Sequence, residues 1–223
     1  MVDVDMDEDK VFFMLGIIHR DISSKEMLIK WLKKEMPQVI TLELSNYGLT
    51  FREKMADYYK QKLEENLKKI KFCNNTGHVT NKYIRDIYAY LDIPYEYKAA
   101  QEYVRDYGGY LYLIDLDIFS LIKLKDIDKL LDVNNLRSLI DLKNEEKTNS
   151  ELIFARLYFE KGIKTFEYTE EMRIRDIHMK NKISLIMRCH NEKRFLHICG
   201  WQHLSDPYNV YEPLKPIKVF IYD

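Results

Sequence analysis

Two histidines, His19 and His203, each close a Gly-x-x-His step behind a short apolar run. Val11-Phe12-Phe13-Met14-Leu15 leads into Gly16-Ile17-Ile18-His19, and Phe195-Leu196-His197-Ile198-Cys199 leads into Gly200-Trp201-Gln202-His203. An apolar run ending in glycine predicts a buried strand that enters a turn. Open α/β sheets hold ligands outside the carboxyl ends of their strands, so two such turns put two imidazoles at that edge. Imidazole is both a metal ligand and an acid or base near neutral pH. A single step of this kind is common, as a turn histidine bound to a backbone carbonyl. Two copies, each directly behind a strand-like run, favour function.

Three further charged residues stand where charge is costly. Glu43 lies in the apolar run Gln38-Val39-Ile40-Thr41-Leu42-Glu43-Leu44, where a carboxylate must be paired, used or turned to water on an edge strand. At the end of a second strand it can meet His19. Helical spacing aligns Arg175 with Met172, Met179 and Ile186. An arginine on an apolar stripe wants a buried anion, either a carboxylate or a substrate oxyanion, unless its head snorkels to water. Asp115 follows the strand-like Tyr110-Leu111-Tyr112-Leu113-Ile114, where it can orient a neighbour or cap the next helix. Cys189, His190, His197 and Cys199 fit no paired zinc spacing, and His197 and Cys199 share a strand face with Phe195 as core residues. Gly77-His78, in a polar loop, reads as surface.

The elements that must position these groups alternate. Residues 11–17 and 39–44 predict strands, and 110–114 and 218–222 predict two more around the second Gly-x-x-His strand. A helix follows Ser23, with Ser23 and Glu26 as a capping box, and Pro37 ends it. A longer helix is expected from Thr50, with Glu53 three positions on, to about Lys71. Residues 80–91 and 95–107 read as helices split by Pro94, and Thr169 to Cys189 as a last long one. The polar run 143–150 reads as an exposed connector. Strands separated by helices favour an α/β fold with a largely parallel central sheet flanked by helices, as one domain over 1–223 with a helical insert or lid at about 117–161.

Composition narrows the class. The formal net charge is −1, which argues against a nucleic-acid or membrane-surface protein. No apolar run approaches the roughly 20 residues of a bilayer span. The acidic start, Met1 to Asp9, is unlike a signal peptide, and three unevenly spaced cysteines suit a reducing compartment. The expected location is therefore cytoplasmic.

Taken in order, these segments resemble the TraB/Tiki superfamily. It includes the TraB and PrgY pheromone-shutdown proteins, the Tiki proteases and, more remotely, erythromycin esterases and the haem-binding ChaN proteins. The resemblance runs through Gly16-Ile17-Ile18-His19, Pro37 to Leu44, Glu96-Tyr97-Lys98-Ala99-Ala100, Leu113-Ile114-Asp115-Leu116-Asp117-Ile118, Ile174-Arg175-Asp176-Ile177-His178-Met179 and Gly200 to Leu204. Leu116 and Ile174 stand where the resembled stretches carry a charged residue. The resemblance implies an α/β fold and a polar site of His19, Glu43, Arg175 and His203, with Glu96 as a further member, and it implies hydrolysis.

Three functions follow. In a metal-dependent hydrolase, peptidase-like, His19, His203 and Glu43 hold a divalent ion (Mn, Co, Zn or Fe) that activates water, and Arg175 stabilises the oxyanion. In a metal-free version a histidine is itself the general base and Glu43 orients it. In the third, the same pocket binds a small ligand, haem or a peptide without catalysis. The expected partner is a small-molecule or peptide substrate, with neither nucleic acid nor membrane. The oligomeric state stays open, a homodimer included.

Overall fold

A computed structural model describes residues 10–70, 81–141 and 150–222. The acidic start, the loop over 73–80 with its Gly77-His78 pair and the polar run 143–149 lie outside the described residues. The chain, expected as a single domain, divides into two compact units: residues 1–44, 95–116 and 150–223, and residues 45–94 and 117–149.

The first unit carries the sheet. Its strands are β1 (Val11–Ile17), β2 (Val39–Leu42), β3 (Tyr110–Leu113), β4 (Arg194–Gly200) and β5 (Ile217–Phe220), in the order β3-β2-β4-β1-β5. All pairings are parallel, so the α/β architecture expected from the alternation of elements is present. Parallel strands are covered on both faces and read as continuous apolar runs. Accordingly every residue of β2, and all of β4 after Arg194, is buried. The central neighbours β4 and β1 connect onward in opposite directions, β1 to β2 and β4 to β5. Ligands bind in open α/β sheets where connections diverge in this way.

The helices of this unit are α1 (Lys25–Glu35), α4 (Tyr95–Tyr107), α8 (Ser150–Lys161) and α9 (Glu170–Cys189). α1 stops because Met36 adopts the left-handed conformation, donating its N–H to Leu32, with Pro37 behind it. The expected Ser23–Glu26 capping box does not form. Ser24 is the N-cap residue and makes no side-chain cap bond; its hydroxyl is bound to the Tyr222 hydroxyl, and that of Ser23 to Asp21. A local partner for Ser23 and a tertiary one for Ser24 take the place of the cap.

The second unit is helical: α2 (Asn46–Lys69), α3 (Lys82–Leu91), α5 (Asp117–Leu124), α6 (Ile127–Leu130) and α7 (Val133–Asp141). Its own core gathers Leu63, Leu67, Ile84, Ile87, Leu91, Leu124, Ile127, Leu131 and Leu136. α2 begins at Asn46 rather than Thr50, because Ser45 Oγ accepts from the Gly48 N–H at 2.9 Å and caps it earlier. The helical insert read over 117–161 is thus shared out: α5 to α7 belong to the second unit and α8 to the first. Among the described residues no helix is long and apolar enough to cross a membrane.

Candidate functional site

The doubled Gly-x-x-His step is one structure seen from two sides. β1 and β4 are adjacent and parallel, with Gly16 opposite Cys199 and Ile17 opposite Gly200. Each glycine lies under the other strand's turn. A Cβ on Gly16 would come 2.5 Å from Leu204 Cδ1 and 2.9 Å from Trp201 Cα. A Cβ on Gly200 would come 2.9 Å from His19 Nε2. Real Cβ atoms essentially never approach so closely; at Gly16 the obstacle includes the Trp201 backbone, so glycine is required there, whereas at Gly200 it is the end of the His19 side chain, which can shift. The turn carrying His19 is pinned by its neighbours: Tyr95 Oη donates to Ile18 O at 3.2 Å, and Tyr222 donates to Asp21.

Glu43 lies one residue beyond β2, which is interior to the sheet, and its N–H continues the ladder to Ile198 O at 3.0 Å. It is not an edge-strand glutamate facing water: its side chain is only 5 % exposed. Glu43 Oε1 accepts from Arg175 Nη2 at 2.5 Å and lies 3.2 Å from His203 Nε2. Its Oε2 accepts from the Gly200 N–H at 2.7 Å and lies 3.6 Å from His19 Nε2. One carboxylate therefore joins both Gly-x-x-His turns and α9.

Arg175 is buried, and it grips Asp115 as well as Glu43. Its Nε donates to Asp115 Oδ1 at 3.0 Å and its Nη2 to Asp115 Oδ2 at 2.7 Å, a bidentate fork. Of the two roles open to it, carboxylate partner and oxyanion holder, the guanidinium fills the first. Asp115 is likewise an arginine partner, and it also accepts the Leu116 N–H at 2.8 Å. Glu96, on the first turn of α4, turns away from Arg175 to His19, with Oε1 2.9 Å from His19 Nδ1. Glu96 Oε2 is buried without a partner. His203, in the 3-10 turn after β4, is held at its other nitrogen: Nδ1 lies 2.6 Å from Asp176 Oδ1.

His19, Glu43, Glu96, Asp115, Arg175 and His203 are thus connected side chain to side chain at the carboxyl ends of β1, β2, β3 and β4. Reading the sequence missed Asp176, which is fully buried and also accepts from Tyr211 Oη at 3.0 Å and from Tyr168. A signal for it existed. Asp176 is in phase with the buried Met179, Ile183 and Met187 on α9, and a carboxylate on that stripe needs a partner as much as Arg175 does. His197 is a separate, core histidine with Nδ1 3.0 Å from Thr41 Oγ1 and Nε2 unpartnered. Burial lowers its pKa to about 4, so it stays neutral. Burial likewise pushes the Cys199 thiol well up, which leaves it inert.

The site is an ion-pair lattice. Burial by itself lowers the His203 pKa, but the Glu43 charge and the bonds to Asp176 and Glu43 outweigh it and raise the value to about 9. Burial also opposes charge on His19, and the bonds to Glu43 and Glu96 overcome it, to about 10. The His19 side chain remains 36 % exposed, so water screens part of that effect. Burial acts to raise the Glu43 pKa, yet the His203 and Arg175 charges hold it well below the ordinary carboxylate range. Both imidazoles are thereby held towards the cationic form, against a Glu43 held towards the anionic one.

That state does not fit the expected metal centre of His19, His203 and Glu43. Among the described residues no group of three or more His, Cys, Asp or Glu side chains is disposed to hold a metal ion. The reason is local. A ligating imidazole needs a free lone pair, whereas His203 has a carboxylate against each nitrogen, 2.6 Å at Nδ1 and 3.2 Å at Nε2, and His19 has Glu96 2.9 Å from Nδ1. Glu43 already receives the Arg175 guanidinium, so a metal there would sit against a fixed positive charge.

Comparison of the chain with family models, with curated proteins and with solved structures finds no match.

Proposed function

We propose that this protein is a hydrolase of an ester or peptide carbonyl that works by acid–base chemistry at His19 and Glu96 around a fixed Glu43 charge, without a metal. The observation that carries this reading concerns the carboxylate oxygens. Each oxygen of Glu43, Asp115 and Asp176 has a donor or cation against it, whereas Glu96 Oε2 is buried with none. An unmet buried acceptor costs about 1–3 kcal/mol, and a functional role is one reason to keep it. The other oxygen of the same carboxylate holds His19, the most exposed of the site's imidazoles.

In the proposed reaction a water admitted against Glu96 Oε2 as substrate binds gives that oxygen a proton while the water's own oxygen bonds to the carbonyl carbon. The bond to the leaving group breaks as His19 Nε2 gives that group its proton. Solvent then removes the proton from Glu96 and returns one to His19. Arg175, His203 and the Gly200 N–H keep Glu43 ionised, and Glu43 keeps His19 protonated for its role as acid. Kinship with the TraB/Tiki superfamily belongs to the same proposal, supported by the order of the site residues along the chain.

The test is a panel of ester and peptide substrates, assayed after exhaustive chelation. Turnover is expected to survive chelation and to be lost in His19→Gln and Glu96→Gln. Activity that appears only with added metal, or full activity in Glu96→Gln, would overturn the mechanism. A second reading, ligand binding without turnover, is favoured by the uncharged Leu116 and Ile174. It predicts a saturable heat of binding for a substrate that is never cleaved.

A further inference from the structure

We propose that Asp176, backed by Tyr168 and Tyr211, is a positioning residue that fixes the His203 ring with both nitrogens protonated and its Nε2 edge beside Glu43. Three donors converge on this fully buried carboxylate. His203 Nδ1 lies 2.6 Å from Oδ1, Tyr211 Oη donates to the same oxygen at 3.0 Å, and Tyr168 donates to Oδ2. Nε2 lies 3.2 Å from Glu43 Oε1 as an ion pair, so the ring meets Asp176 and Glu43 together by carrying a proton on each nitrogen. Both oxygens of each acceptor are occupied, which leaves the ring no alternative orientation with equal bonding.

The groups around His203 agree. Glu43 faces it from beyond β2, Asp176 from α9 and His197 from β4. Arg175 stands across Glu43, and the two phenols stand across Asp176. His197 is neutral and so adds no repulsion. Burial and Asp176 push both phenol pKa values up, so Tyr168 and Tyr211 act only as donors. Tyr168 is half-buried and its ring contacts Tyr208, which is 63 % exposed. The lattice is therefore tied to the surface by a hydroxyl and not by a group that exchanges protons near neutral pH. Within the proposed hydrolase this makes His203 a fixed cation at neutral pH and gives the proton transfer to the more exposed His19; that clause rests on the hydrolase reading, while the state of His203 does not.

The experiment is an NMR titration of protein labelled at its six histidines, with His203 assigned from His203→Gln. At pH 7 the wild-type ring is expected to show two N–H protons, with Nδ1–H strongly deshielded and slow to exchange. In Asp176→Asn the His203 midpoint is expected to fall by one pH unit or more, a tenfold loss of proton affinity, while the His19 midpoint stays in place. Asp176→Glu, which keeps the charge, should recover most of the loss. A singly protonated His203 at pH 7 in wild type, or an unmoved midpoint in Asp176→Asn, overturns the assignment. Should Asp176→Asn not fold, the wild-type spectrum decides together with Tyr168→Phe. Removing that donor concentrates the Asp176 charge on His203, so its midpoint should rise, and a midpoint that does not rise overturns the assignment. None of these readouts needs a substrate, so a failed hydrolase assay and a failed titration are separate results.

Discussion

Replacing Arg175 with methionine keeps the volume of the side chain and removes its charge. The structure gives the cost. Arg175 is 11 % exposed at its side chain, and the carboxylates it holds, Glu43 and Asp115, are 5 % and 7 % exposed. Without the guanidinium two buried carboxylates face each other, with only His203, His19 and backbone N–H groups left to share. Stranding the partner of a buried pair costs about 3–5 kcal/mol. For a protein of this size that lowers the unfolding midpoint by roughly 6–20 °C. Both tryptophans, Trp31 and Trp201, belong to the sheet-bearing unit, so tryptophan fluorescence reports that unit's unfolding specifically. The deficit should also depend on pH. In wild type the folded Glu43 pKa lies well below its ordinary value of 4.5. The stability it contributes is therefore present above that pH and lost as pH falls. In Arg175→Met the Glu43 and Asp115 charges repel each other without their counterion, and protonation relieves that repulsion. The two denaturation curves should therefore converge below about pH 4.5. A variant as stable as wild type at pH 7, or a deficit that is the same at pH 4 and pH 7, refutes the buried-lattice argument.

Three other outcomes follow from the same geometry. The folded His203 pKa of about 9 lies above the ordinary 6.5, so its stabilisation is complete below that value and disappears as pH rises through 9; urea midpoints should fall over that window in wild type and much less in His203→Gln. Gly16→Ala meets the Trp201 backbone and should cost about 1–3 kcal/mol in a melt, whereas Gly200→Ala meets a half-exposed imidazole and should displace the His19 resonances with a smaller loss of stability. Calorimetric titration with Mn, Co and Zn should give no site-specific heat in wild type, and binding abolished by His19→Ala and His203→Ala would restore the metal centre.

The sequence by itself determined the α/β architecture and marked Glu43 and Arg175 as buried charges in need of partners, but not Asp176. Apolar runs closed by glycine, split by amphipathic helices, leave little choice of layer. A charged residue on an apolar stripe announces a buried partner, as Glu43 and Arg175 did. It could not determine who pairs with whom. Arg175 chose Asp115 and Glu43 over Glu96 because β2 and β3 are adjacent in the sheet, so their ends lie under the same turn of α9, a fact of strand order that periodicity does not encode. It could not reveal that Gly16 and Gly200 each make room for the other's turn, since that depends on the register of β1 against β4. The protonation of the histidines was equally out of reach: the same imidazole is a ligand, a base or a fixed cation according to the carboxylates around it, and Asp176, Glu43 and Glu96 arrive only through tertiary structure.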